Sequence, residues 1–167
     1  MKIILKPTKG IVIEGVEINF NTNINVLKEK YQFEQLDNQY YFFDSDLQVD
    51  INENNEICSF SCCGGYESSI EAILDDKNIF KTYVDETVAL ISESVNEKEV
   101  IEEENHIYIW NKCGIACWRS MTSEEVQELI KEATEDGMYD EMKEDIERDI
   151  MKSKYFETIS LNCKDTK

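Results

Sequence analysis

The sequence predicts an α+β fold in a single domain over residues 1–167: antiparallel β-sheet with helices packed on it, and a long acidic helical segment before a final strand. Three observations carry this expectation. Apolar and polar residues alternate through much of the first sixty positions, the signature of half-buried strands. Between Ile70 and Ile91, and again from Val126 to Ile150, apolar residues recur at spacings of three and four, as on one face of a helix. Only one proline and six glycines interrupt a chain that is 41% hydrophobic, so a packed core is within reach.

Taken in order, Lys2–Leu5 and Ile11–Ile18 read as strands, with Gly10 and Gly15 as breaks. Thr22 or Asn23 can cap a short helix through Val26, Leu27 and Lys30, because both side chains accept the unpaired amides of a first turn. Tyr40–Phe43, Leu47–Ile51 and Ile57–Cys62 are three further strands, and Asn52-Glu-Asn-Asn55 is a hairpin turn in which Asn tolerates positive φ. Gln48 and Asp50 alternate with Leu47, Val49 and Ile51, so one side of this sheet is wet. Cys63-Gly64-Gly65 marks a loop. Ile70, Ile73 and Leu74 then read as helical, as do Phe80, Val84, Val88 and Ile91, the second run starting at Asn78 or Thr82.

Asn96–Asn105 is acidic and turn-like. Ile107–Trp110 and Gly114–Trp118 form a strand pair around the turn Asn111-Lys112. Thr122-Ser-Glu-Glu125 is a capping box opening a helix with Val126, Leu129, Ile130 and Ala133 on one face. Gly137 interrupts it, Met138, Met142, Ile146 and Ile150 continue at intervals of four, and Tyr155–Leu161 is the last strand. A helix followed by three strands occurs twice, in weakly similar halves 1–63 and 66–161. Duplication and chance alternation both produce that order.

With 17 Lys and Arg against 36 Asp and Glu, the net charge is −19 and the isoelectric point about 4.3. Such a surface repels phosphate backbones and anionic lipid, which speaks against nucleic acid or membrane as a partner. No apolar run approaches the roughly 18 residues of a membrane span, and the first residues are too short a stretch for a signal peptide. The six cysteines sit in apolar, strand-like stretches, and the expectation is free thiols in a reducing cytoplasm. Cys58/Cys62 and Cys113/Cys117 share a C-x-x-x-C spacing. On a strand, positions four apart are about 13 Å distant, too far to share one zinc ion.

The chemistry of catalysis is thinly represented. His106 is the only histidine, no acyl-transfer motif surrounds any cysteine, and Cys63-Gly64-Gly65 lacks the spacing and lysine of a phosphate-binding loop. Asp44-Ser-Asp46 and Asp75-Asp76 do not fit a calcium-loop spacing. The expectation is therefore a chain that is not an enzyme, with no catalytic residues, no metal and no cofactor.

Charge distribution says more. Met121–Lys152 holds twelve acids against four bases, and Asp85–Glu104 eight acids against one lysine. A solvated helix face accounts for such a run, yet crowded carboxylates cost a few tenths of a kcal/mol per like pair at helical spacing. A cationic partner relieves that repulsion and is captured faster by it. Interfaces also favour tyrosine and tryptophan anchors, and Tyr40-Tyr41-Phe42-Phe43 puts aromatic groups on both faces of one strand. Tyr66, Trp110, Trp118 and Tyr139 are further candidates, each with core packing as the alternative. The residues expected to meet a partner are Glu102, Glu103, Glu104, Tyr139, Asp140, Glu141, Glu144, Asp145 and Tyr41.

Four stretches carry a resemblance of pattern: Gly10-Ile-Val-Ile-Glu-Gly-Val-Glu-Ile18, Asn78-Ile-Phe80 leading into Val84–Ile91, Gly114-Ile-Ala-Cys-Trp-Arg119, and Tyr155-Phe-Glu-Thr-Ile159. Together they resemble small bacterial immunity proteins that accompany polymorphic and contact-dependent growth inhibition toxins. The resemblance implies a cytoplasmic inhibitor, monomeric or weakly dimeric when free, that binds a cognate toxin domain, often a basic nuclease. It would block the active site or an exosite, and the resemblance carries over no catalytic residue. Two other classes stay open on the sequence: a small-ligand or metal-binding sensor or hydrolase around His106 and the cysteines, and an acidic nucleic-acid mimic that occupies a DNA-binding protein.

Overall fold

Two four-stranded antiparallel runs meet edge to edge and form one eight-stranded sheet. The computed structural model of the protein describes residues 1–164. The first run is β4 (Phe33–Leu36), β5 (Gln39–Phe42), β6 (Leu47–Ile51) and β7 (Ile57–Cys62); the second is β10 (Ile101–Glu103), β11 (Ile107–Trp110), β12 (Ile115–Trp118) and β13 (Thr158–Asn162). The order across the sheet is β10-β11-β12-β13-β7-β6-β5-β4, so β7 and β13 form the antiparallel seam. A second, five-stranded sheet has the order β3-β2-β1-β8-β9, built from β1 (Lys2–Lys6), β2 (Gly10–Ile13), β3 (Val16–Asn19), β8 (Glu71–Leu74) and β9 (Lys77–Asn78). There β1 and β8 pair in parallel, the one parallel contact among the described strands. The class is α+β, as the sequence predicts.

Both sheets contribute to one core. The larger one supplies Phe42, Val49, Phe60, Trp110, Ile115 and Ile159 from its inner face, and the smaller one Ile3, Leu5, Ile11, Ile13, Ala72 and Leu74. Leu27 of the four-residue helix α1 (Asn25–Lys28) joins them, with Val84 and Ile91 of α2 (Val84–Ser94). Each fully buried Leu, Ile or Phe removes enough apolar surface from water to contribute about 1.5–3 kcal/mol.

α3 (Ser123–Glu135) and α4 (Tyr139–Lys154) form a helical hairpin between β12 and β13. Its start is the predicted capping box: Thr122 Oγ1 accepts from the Glu125 amide, and the Glu125 carboxylate accepts from the Thr122 amide. α3 ends where Gly137 takes φ +69°, and the amides of Gly137 and Met138 bond back to Thr134 and Ala133. β12 and β13 pair directly, so the hairpin leaves the sheet and returns to it at neighbouring points. Its neck is tied by Glu157, whose carboxylate accepts from the amide and the hydroxyl of Ser120.

Several elements differ from the sequence reading. Ile70–Leu74, read as helical, is largely strand β8: pairing with β1 buries Ala72 and Leu74, and that burial outweighs a three-and-four spacing carried by three residues. The acidic stretch Asn96–Asn105 contains strand β10, and Phe33–Leu36, given no element from sequence, is strand β4. Both are exposed edge strands, held by main-chain bonds to one neighbour and so without a hydrophobic period. Asn78 caps a short 3-10 turn, Ile79–Lys81, and α2 begins after Tyr83. At α1, Asn23 Oδ1 accepts from the Asn25 amide, while Ile24 occupies the cap position.

Gly114 and Gly137 both hold positive φ, +72° and +69°, yet a side chain would meet different surroundings. A Cβ on Gly114 collides with the Asn162 carbonyl, whereas one on Gly137 meets nothing within 4 Å. Gly137→Ala should cost about 1 kcal/mol, the left-handed strain alone, and Gly114→Ala at least about 2 kcal/mol more. Urea denaturation of the two variants checks this, and equal losses would contradict the packing at Gly114.

Candidate functional site

Side chains in register across a sheet share a face, and one such row crosses all eight strands. It runs Ile101, Ile109, Ala116, Ser160, Ser61, Gln48, Tyr41, Glu34, each paired with the next. This row lies on the face opposite Trp110, Phe60 and Val49, and none of its members is buried. A neighbouring row, Glu103, Ile107, Trp118, Thr158, extends the same face at the β10 end. The outer face is therefore graded: apolar over β10–β12, small and hydroxylic at the seam, and polar over β4–β6 apart from Leu36 at the β4 edge.

The apolar end combines Ile101, 45% exposed, and Trp118, 42% exposed, with half-buried Ile107 and Ile109. Large apolar side chains clustered on an open face mark contact surfaces in soluble proteins. At the seam, Ser61 Oγ and Ser160 Oγ lie 2.8 Å apart. On the polar end, Tyr41 Oη donates to Gln39 Oε1 at 2.8 Å and Gln48 Nε2 to Asp50 Oδ1 at 2.9 Å, so these groups pair along their own strands.

Carboxylates rim the apolar end. Glu103 shares the outer face with Ile107, while Glu102 pairs with Tyr108 on the inner side. Burial raises the Tyr108 hydroxyl pKa above its ordinary value, Arg119 opposes the rise, and Glu102 and Asp85 add to it. Glu104 and Asn105 turn the chain into β11 with φ of +50° and +58°. His106 then bridges to the helical hairpin: its Nδ1 is 2.9 Å from the Arg119 carbonyl, which makes Nδ1 the donor, and its Nε2 is 3.1 Å from Glu125 Oε1. Arg119 is buried, and its guanidinium donates to the carbonyls of Asn105 and Ser153, both at 2.7 Å. These groups are occupied in holding the β11–β12 end against the hairpin.

The structure spreads the sequence-predicted contact residues over three places. Glu102, Glu103 and Glu104 are exposed at the β10 edge, beside the apolar end. Tyr41 lies on the same outer face, in the polar half. Half-buried Tyr139 and exposed Asp140, Glu141, Glu144 and Asp145 occupy the first half of α4; Tyr139 starts it, on the order of 20 Å along the axis from its last residue. There Asp145 pairs with Arg148 at 3.1 Å, and Lys143 with Glu147 at 4.0 Å.

Among the aromatic candidates, Trp110 is a core residue: it is fully buried and donates Nε1–H to Ser92 Oγ at 2.9 Å. Tyr66 is exposed and stacks with Tyr155, which stacks in turn on Tyr83. The sequence reading missed Ile101, Ile107 and Ile109. Their signal was present in Ile107-Tyr-Ile-Trp110, a strand apolar on both faces.

All six cysteines are thiols; Cys62, Cys113 and Cys117 are buried, and desolvation raises the pKa of each. Among the described residues no three His, Cys, Asp or Glu side chains converge as a metal set, and no helix is long and apolar enough to cross a membrane. Comparison with protein-family models, curated proteins and solved structures gives no match to this chain.

The His106–Glu125 pair gives the hairpin junction a pH dependence. The Arg119 carbonyl does most to raise the imidazole pKa, burial opposes the rise, and Glu125 adds to it. Bonds from Thr122, and then His106, lower that of Glu125. The histidine's contribution is complete below its ordinary 6.5 and fades as pH rises through the folded value; the carboxylate's holds above 4.5 and fades as pH falls through its own folded value. The loss of melting temperature in His106→Ala should therefore be greater near pH 5.5 than near pH 8.5, roughly either side of the imidazole titration. A loss independent of pH over that range would show that the imidazolium is not involved.

Proposed function

We propose that this chain is an immunity protein: it binds a cognate, basic toxin domain and neutralises it by covering its active site or substrate surface. The observation that carries this reading is the uncovered apolar end of the outer sheet face, rimmed by Glu102, Glu103 and Glu104. Trp118 and Ile101 supply desolvated anchoring area, and tryptophan is among the side chains most often found at the energetic centre of interfaces. The carboxylates supply attraction at a distance, since a concentrated negative field raises the encounter rate with a cationic partner. The acidic first half of α4 extends that field without a role in anchoring.

The resemblance of Gly114-Ile-Ala-Cys-Trp-Arg119 and its companion stretches to immunity proteins points the same way, and the partner's class comes from it. On this reading the protein works in the cytoplasm of the producing cell, where its thiols stay reduced, and inhibition is steric. No group of the chain needs to react. A rigid sheet is suited to this task, because a surface organised before contact loses little conformational entropy on binding.

On this reading the neighbouring gene encodes the toxin domain, and that domain supplies the test. It should form a one-to-one complex whose association slows steeply with salt. Trp118→Ala should weaken the complex by about 2 kcal/mol, roughly thirtyfold, mostly through faster dissociation. Glu103→Lys should instead slow association and flatten the salt dependence. A toxin domain that is neither bound nor inhibited sinks the proposal, and unchanged binding by Trp118→Ala sinks this face as the contact.

A further inference from the structure

The eight-stranded sheet has two free edges, and they are guarded differently. β10 carries Glu102 and Glu103 and runs directly into Glu104, so a second copy of the same edge meets like charge. Charged edges of this kind are how sheet proteins avoid joining one another. β4 is Phe-Glu-Gln-Leu: one charge, no lysine, no proline and no bulge. Phe33 is 39% exposed and Leu36 63%, the most exposed large apolar side chain among the described residues.

The main chain of β4 is also self-complementary. Its hairpin to β5 closes through Asp37-Asn38 on the pair Leu36↔Gln39. The pair next to a two-residue turn exchanges its hydrogen bonds inward, and the alternation of an antiparallel ladder then points the N–H and C=O of Gln35 and Phe33 away from β5. A two-fold axis through Gln35 sets two such outward residues opposite each other. In that register Gln35 faces Gln35 of the second copy, and Leu36 faces Glu34 of the second copy. A shift by one residue in each copy would put Glu34 against Glu34, through groups already used inside the hairpin.

Electrostatics permits the approach at this edge alone. From Lys28 to Asp37 the chain holds two bases and three acids, whereas Glu97–Glu104 holds five acids and one base. Seven strand spacings, about 34 Å, separate β4 from β10, several screening lengths at physiological salt. We infer that two copies of this chain pair edge to edge along antiparallel β4 strands centred on Gln35, continuing the sheet through a two-fold axis. The contact is short, so the dimer is weak, and both acidic β10 edges with their apolar ends face outward. The inference does not depend on the identity of any toxin.

Sedimentation velocity of the full chain over a roughly hundredfold concentration range tests it, small interfaces being of low affinity. A reversible dimer is expected, strengthened by added salt because the molecules carry net like charge. Leu36→Glu sets Glu against Glu34 and should weaken the dimer at least about tenfold, while Leu36→Lys, opposite the same Glu34, should not. Gln35→Pro removes an outward amide and should leave a monomer with unchanged far-ultraviolet circular dichroism. In the unaltered protein the Gln35 amide should exchange more slowly as concentration rises, a readout independent of any variant's folding. A monomer at every concentration overturns the inference. So does a dimer that survives Leu36→Glu and Gln35→Pro but is lost in Trp118→Ala, which would place the contact on the outer face.

Discussion

The pairing of β7 with β13 is the constraint on which the rest of the molecule depends. Ser61 and Ser160 stand opposite each other across 99 residues of chain, with Cys62↔Ile159 and Phe60↔Leu161 on either side of them. Closing so long a loop costs only a little more than closing a short one, since the entropy grows with the logarithm of length. The return comes at once, because Phe60, Cys62, Ile159 and Leu161 are all buried at the seam. Without this ladder the chain would hold two four-stranded sheets, each with one more free edge. With it, the inner face is broad enough to share a core with the smaller sheet, and the outer face becomes one continuous surface.

That surface gains its character from what each half contributes. The first half brings Gln48, Asp50 and Tyr41, whose polar groups pair along the strands and stay compatible with water. The second half brings Ile101, Ile107, Ile109 and Trp118, which have no such outlet. Hydroxyls of Ser61 and Ser160 mark the boundary, small enough to leave it low. Charge follows the same division, since the dense carboxylates belong to the second half. Negative charge and exposed apolar surface thus converge on one end of one face, and the opposite edge is left nearly neutral.

Period explains what could be read from the amino acids. Leu47–Ile51 alternates cleanly and is legible as a strand, as is Ile57–Cys62 although its period slips by one residue at the register shift opposite Asp50 and Ile51; the Thr122–Glu125 pair is legible as a helix start because its two side chains answer each other's amides. β4 and β10 have no such period. They are strands because a neighbour offers hydrogen bonds, and that information lies in β5 and β11. β8 was misread for the same reason, its partner β1 being some seventy positions earlier. At the candidate site the acids of 102–104 and Trp118 were visible, yet the isoleucines around them were not. In Ile107-Tyr-Ile-Trp110 both faces are apolar, and only the fold decides that Tyr108 and Trp110 go inward. Trp110 and Trp118 look alike in sequence and have opposite fates.

The neck of the α3–α4 hairpin bears on how such a protein can diverge. The insertion leaves from Trp118 and rejoins at Thr158, residues that are already cross-strand partners, and Ser120 with Glu157 fastens the two ends together. A segment bounded in this way behaves like a cassette. Lengthening it, shortening it or replacing its outer surface leaves the registers on both sides intact, because the strands it joins are held by each other. Changes confined to the hairpin can therefore alter its acidic surface while the sheet beneath keeps its register, and changes confined to β10–β12 can alter the apolar end while the hairpin keeps its charge. Two lineages could part in surface character by changing either segment alone.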